Sequence, residues 1–158
     1  AVTELKLAYQ VPFYLHKKDL SILKRTQPTA KYFTLHQNKF GAGQANLEVD
    51  EPSMPDKFLA EDQVLKLGNL MLQGLETPGH TPVIVSFDSQ KEKIIFVGDV
   101  LFAYGSHGRT DLKGGNYQKL RKSIKKILSL PFKTIICPGH GKMTNVKNER
   151  KFYQDLLI

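Results

Sequence analysis

Two apolar-rich runs, Val83-Ile84-Val85-Ser86-Phe87 and Lys93-Ile94-Ile95-Phe96-Val97, flank a short polar turn from Asp88 to Glu92, and a third, Thr134-Ile135-Ile136-Cys137, follows later. Near-continuous hydrophobicity in the first two predicts strands buried on both faces, which need layers above and below them, and the third reads as a last strand. Tyr117, Leu120, Ile124, Ile127 and Leu128 recur at helical spacing and stop before Pro131, so an amphipathic helix stands between the second and third runs. Strands that need cover and helices able to supply it predict an α/β (α+β) architecture.

The remaining segments fit this plan. Leu5, Ala8 and Tyr9 place a short helix at 2–9, and Val11-Pro12-Phe13-Tyr14-Leu15 is a β-rich run. Asp19 can cap a second helix through Leu20, Ile22 and Leu23. Residues 26–55 are polar, carry Pro28, Gly41, Gly43, Pro52 and Pro55, and read as a long loop-like insertion. Val64-Leu65-Lys66-Leu67 and Leu70-Met71-Leu72 flank Gly68-Asn69, a two-residue hairpin turn. A closing helix is expected from about Val146.

The 158 residues are the length of one domain, 1–158, and 41% apolar content with nine Phe and six Tyr excludes a disordered chain, a collagen repeat or a coiled coil. No apolar run approaches the ~20 residues of a membrane span, so no membrane partner is expected. A single cysteine, Cys137, cannot form an internal disulfide; it reads as strand packing, and a reducing, cytoplasmic location is expected. The net charge of +8 attracts anions, but the cluster Lys119, Arg121, Lys122, Lys125 and Lys126 reads as a solvated helix face without interleaved stacking aromatics, so nucleic acid is disfavoured as a partner.

Three segments share one design, an apolar strand ending in a polar residue at a glycine-containing turn: Thr77-Pro78-Gly79-His80-Thr81, Val97-Gly98-Asp99 and Pro138-Gly139-His140-Gly141. Strand ends hold functional groups rigidly, and glycine lets backbone come close to a ligand. Two imidazoles and a carboxylate delivered this way suit a borderline metal such as zinc. His16, His36 and His107 lack this setting and read as structural or surface residues.

The sequence TPGHT, then VGDVLF, then PGHG resembles the metallo-β-lactamase superfamily, and within it the glyoxalase II-like thioesterases. Gly108-Arg109-Thr110-Asp111-Leu112-Lys113-Gly114-Gly115-Asn116-Tyr117 is similar to the segment after the aspartate in the short, single-domain members. The resemblance implies an αβ/βα sandwich, two mixed sheets face to face with helices outside. It also implies that His80 binds one metal ion, His140 another, and Asp99 bridges them. One or two zinc ions are expected, with iron and manganese as alternatives. Where the family continues TPGHT with small residues, this chain has Pro82-Val83-Ile84, a conservative change for a strand.

One departure is larger. The family's HxHxDH signature does not occur; the histidines are at 16, 36, 80, 107 and 140. In the family that signature precedes a helix like the one at 2–9. The chain, which begins with Ala1, is therefore expected to be the C-terminal part of such a domain, its first part missing, and to be inactive alone. The complete enzyme is expected to cleave a thioester of the hydroxyacylglutathione type with metal-bound hydroxide, Asp99 being catalytic as the bridging ligand. Arg109, ten residues after Asp99, is expected either to bind an anionic group of that small substrate or to pair with Asp111. Alternatives are a superfamily nuclease acting on RNA or DNA and a non-catalytic, metal-free remnant. The polar insertion is too short for the domain that such nucleases carry.

Overall fold

A computed structural model describes residues 2–24 and 53–157, which fall into two compact units, 1–58 and 59–158. In the first, helix α1 (Val2–Tyr9) forms where the periodicity places it, and strand β1 (Tyr14–His16) pairs with β2 (Lys57–Leu59) in a two-stranded sheet. The expected run at 11–15 shortens to a strand that starts after Pro12, which has no N–H to give to a ladder. Asp56 accepts hydrogen bonds from Lys6 Nζ and the Phe13 amide, both at 2.8 Å. The Lys6 bond and then the Phe13 amide pull the Asp56 carboxyl below its ordinary range. The second helical stretch opens before Asp19, as a 3₁₀ turn at Lys17–Asp19 that continues over 20–24. Its cap is His16, whose Nδ1 accepts from the Lys18 amide, so Asp19 lies inside the first turn. Most of the 26–55 segment, with His36, lies outside the described residues.

The second unit is built on a six-stranded mixed sheet, ordered β3 (Val64–Leu67), β4 (Leu70–Glu76), β5 (Val85–Ser89), β6 (Ile94–Gly98), β7 (Ile135–Pro138) and β8 (Thr144–Asn145). Neighbours are antiparallel except β6 and β7, which are parallel. The β3–β4 hairpin turns where Gly68-Asn69 predicts it. β5 starts two residues later than the apolar run; Ile84 O, just before it, accepts from both the amide and the hydroxyl of Thr77, which closes a loop over 77–84. Helix α2 (Tyr117–Leu128) starts at Asn116, whose side chain accepts from the Lys119 amide at 2.9 Å. The closing helix is broken into α3 (Val146–Glu149), a 3₁₀ turn (Arg150–Phe152) and α4 (Gln154–Leu157).

Leu120, Ile124, Ile127 and Leu128 of α2 pack with Ile95, Val97, Ile136, Val146, Tyr153 and Leu156 in one buried cluster. The strands are not buried on both faces as their composition predicts. Successive side chains point to opposite sides, and Phe96 and Ile135, between buried neighbours, are 43% and 41% exposed. Among the described residues no helix is long and apolar enough to cross a membrane.

Strand direction positions the site. β4 and β6 both run antiparallel to β5, so they point the same way, and β7 is parallel to β6. The C-terminal ends of β4, β6 and β7 therefore lie along one edge of the sheet, where the TPGHT, GD and PGHG turns emerge.

Candidate metal centre

The turn after β4 is held from two sides. Thr77 and Ser86 hydroxyls meet at 2.7 Å beneath it, while Ser123 Oγ donates to Pro78 O and the Asn116 amide to Gly79 O, each at 2.7 Å, tying it to the start of α2. Gly79 has φ +140, and a Cβ there would collide with the backbone of Leu120. The close approach of helix to turn thus requires glycine. His80 comes next, and its Nδ1 lies 2.8 Å from Arg109 O. A carbonyl oxygen only accepts, so Nδ1 is the donor in this pair and Nε2 is the ring nitrogen left for another partner.

Asp99 and His140 leave adjacent parallel strands. The Gly139 amide donates to Gly98 O at 2.8 Å, cross-tying the two turns, and a Cβ on Gly139 would stand 2.5 Å from Asp99 Oδ1. Glycine here makes the room that the carboxylate occupies. Asp99 Oδ2 lies 3.7 Å from His80 Nε2 and 3.6 Å from His140 Nε2. These distances are too long for hydrogen bonds. They approach the roughly 3.4 Å that separates two donors held about 2.0–2.1 Å from one tetrahedral zinc ion. The carboxylate oxygen thus stands between the two imidazoles.

Among the described residues no group of three or more His, Cys, Asp and Glu side chains is arranged so that it could hold a metal ion. Asp99 Oδ2 is the near neighbour of both imidazoles, so the three turns bring two nitrogens and one carboxylate toward each other. The donor types suit zinc, iron or manganese, and these three residues are fewer than the donors of a four-coordinate shell.

The other candidate residues divide clearly. Arg109 grips Asp111 with two hydrogen bonds, Nε to Oδ1 at 2.8 Å and Nη2 to Oδ2 at 2.5 Å, on an exposed loop. The guanidinium bond holds the Asp111 carboxyl down at about 2. His107 places Nδ1 3.0 Å from Gly108 O and tilts its ring against Tyr117. Cys137 is a half-buried free thiol whose pKa burial pushes up. Two contacts escaped the sequence. The backbone carbonyl of Arg109, and not its charge, is what meets His80, and the Phe102 ring stands edge-on to His140 with centroids 6.1 Å apart. Phe102 reads in sequence as one more apolar residue after Asp99, so no local signal marks it.

The chain shares 41% identity over 100 residues with hydroxyacylglutathione hydrolase GloC of Haemophilus influenzae, covering 62% of this chain and 47% of that one. A solved structure of TTHA1623 in a di-iron-bound form aligns with TM-score 0.77 and 34% identity over 96% of this chain and 68% of that one. The structure of BLEG-1, a B3 metallo-β-lactamase, aligns with TM-score 0.75 and 32% identity, covering 100% of this chain and 71% of that one. Two further curated relatives, 33% and 34% identical, match along 96% and 95% of the chain, which spans 66% of the length of each. The family model described as the metallo-beta-lactamase superfamily matches residues 1–140. The fold is that of the family, and the chain belongs to the metallo-β-lactamase superfamily.

Proposed function

We propose that the protein is a metal-dependent, glyoxalase II-like hydrolase that cleaves a small anionic thioester of the hydroxyacylglutathione type in the cytoplasm. The observation that carries the hydrolase reading is the Asp99 carboxylate standing 3.6–3.7 Å from the Nε2 atoms of both His80 and His140 at one sheet edge. The likeness to a hydroxyacylglutathione hydrolase supports the thioester class.

His80, Asp99 and His140 would hold the metal, zinc being the ion that the donor set suits first. When bound, a divalent cation there supplies a water of lowered pKa as nucleophile and a Lewis acid for the thioester carbonyl. The protein's own residues prepare this. Arg109 O engages His80 Nδ1 and so leaves Nε2 to bind, Phe102 braces His140, and Asp99 would add a carboxylate oxygen between the two imidazoles. No side-chain nucleophile is called for, in keeping with a Cys137 thiol that burial keeps protonated. Arg109 would meet a substrate carboxylate, which must compete with Asp111 for the guanidinium; an exposed pair of this kind is weak enough to exchange.

The test is hydrolysis of a hydroxyacylglutathione by the full-length protein, stripped of metal and then reloaded with zinc, iron or manganese. Turnover is expected to require metal and to fall at least about a hundredfold in Asp99→Asn, a ligand loss. Arg109→Ala is expected to raise KM for a carboxylated thioester and not for a neutral one, with kcat little changed. Turnover of a β-lactam or of RNA without turnover of any thioester would overturn the substrate class. Equal loss for charged and neutral thioesters would remove Arg109 from recognition.

A further inference from the structure

Glu149 is a carboxylate inside an apolar stripe. Val146, Glu149, Tyr153 and Leu156 recur at helical spacing, and Glu149 is 1% exposed. It accepts from the amides of Tyr104 (Oε1, 3.2 Å) and Gly105 (Oε2, 2.9 Å) and from the Thr144 hydroxyl (Oε1, 2.6 Å). Tyr104 and Gly105 both have left-handed backbone, with φ 66 and 72. Successive amides in such turns converge on an anion, and here the chain supplies the anion from another element. A tyrosine stays in that conformation only where its surroundings over-determine it, and the Glu149 carboxylate does so. One helical turn on, Tyr153 donates its hydroxyl to Ser106 O at 3.1 Å, and the Phe102 amide donates to the same oxygen at 2.8 Å.

The anchored span, 99–109, reaches all three metal donors. Asp99 is its first residue, Phe102 stands against the His140 ring, and Arg109 O receives the His80 Nδ1 proton. His140 carries a side chain 78% exposed, so its alignment depends on such neighbours. Displacing the turn at 104–105 would shift Phe102 and Arg109 relative to both imidazoles.

We infer that Glu149, seconded by Tyr153, is a positioning residue that sets where span 99–109 lies, and thereby how tightly His80, Asp99 and His140 take a divalent cation, without touching that cation. The inference rests on the metal-hydrolase reading above.

The test is titration of Co²⁺ into the metal-free full-length protein as wild type, Glu149→Gln, Tyr153→Phe and Arg150→Ala. Arg150, adjacent in the chain, bonds Leu128 O at 2.7 Å and makes no such bond to the span, so its loss reports general loosening. Glutamine keeps the shape of residue 149 but presents an NH₂ where an amide needs an acceptor. Co²⁺ affinity is expected to fall about tenfold or more in Glu149→Gln, the range for groups that orient metal ligands, with a changed visible spectrum. Tyr153→Phe is expected to move the same way by less, and Arg150→Ala to bind as wild type. In the metal-free protein, the amides of residues 104 and 105 are expected to exchange hydrogen faster in Glu149→Gln. Tyr153→Phe carries the test if Glu149→Gln fails to fold. Wild-type Co²⁺ affinity in a folded Glu149→Gln or Tyr153→Phe protein would overturn the inference, as would an equal loss in Arg150→Ala. A wild-type protein that binds no Co²⁺ would overturn the metal-hydrolase reading itself, and that result appears in the wild-type arm alone.

Discussion

On β6, Ile95 and Val97 are fully buried beneath helix α2, whereas Phe96 between them is 43% exposed. On β7, Ile136 is fully buried and Ile135 is 41% exposed. Register puts Phe87, Phe96 and Cys137 side by side on the second face, with Ile94 and Ile135 in the next row. Both faces of the sheet thus carry large apolar residues, and they differ in how far those residues are covered. Hydrophobic runs state that cover is needed; they do not say from where it comes. The candidate site is indifferent to this contrast, because it is drawn from strand ends and not from either face.

The largest expected effect tests the contrast directly. Ile127→Ala, in the cluster under α2, is expected to cost about 2–5 kcal/mol, since it removes buried methylenes and leaves a cavity. Phe96→Ala, on the other face, is expected to cost about 1 kcal/mol, because part of that ring is already in water. Urea unfolding of both variants measures the difference. Equal losses would break the comparison and mean that both faces are equally packed in solution.

Much of the fold and the turns that carry His80, Asp99 and His140 were legible in the sequence for one reason: their signals are local. A proline-glycine pair followed by histidine, a glycine-aspartate after four apolar residues, and an apolar stripe ending before Pro131 each announce themselves within a few positions. What was not legible depends on pairing across the chain. The bond from the Thr77 hydroxyl to Ile84 O, which closes the loop before β5, joins residues seven positions apart. The cap at His16 depends on a 3₁₀ turn that helix periodicity does not encode. The bonds of Glu149 to residues 104 and 105 span more than forty positions. Its one sequence signal is an acid in the Val146, Tyr153, Leu156 stripe, where a solvated acid has no place.

A smaller effect sharpens the comparison at Cys137, which pairs with Phe96 on the less covered face. Burial pushes this thiol above its ordinary range, and the thiolate is the nucleophile. Labelling by iodoacetamide is therefore expected to be slower than for a free cysteine near pH 8. It is expected to accelerate at a higher pH than the ordinary thiol value of about 8.5. The rate is read by mass spectrometry of the intact protein. A free-cysteine rate would mean that this face is open to water around the sulfur. No labelling even at high pH would mean that the face is covered in solution, and the contrast between the two faces would then disappear.

The smallest expected effect places a charge on the covered face. Asp88 stands opposite Ile95 in the β5–β6 ladder and is buried, and burial pushes its carboxyl above the ordinary value. The folded protein then holds this proton more tightly than the unfolded chain, whose carboxyl titrates near about 3.9. The stability contributed by the group is complete below that value and is lost as pH rises through the higher folded value. At neutral pH, therefore, ionised Asp88 opposes folding, and Asp88→Asn is expected to melt at a higher temperature than the parent. The gap is expected to close as pH falls toward about 4, where the parent carboxyl becomes neutral as well. Melting curves for both proteins between pH 3.5 and 8 measure it. If Asp88→Asn instead melts lower at neutral pH, with a gap that widens as pH rises, the carboxylate is an acceptor that folding uses. The face under α2 would then be held together partly by a polar bond, and its difference from the Phe96 face would be one of chemistry as well as of cover.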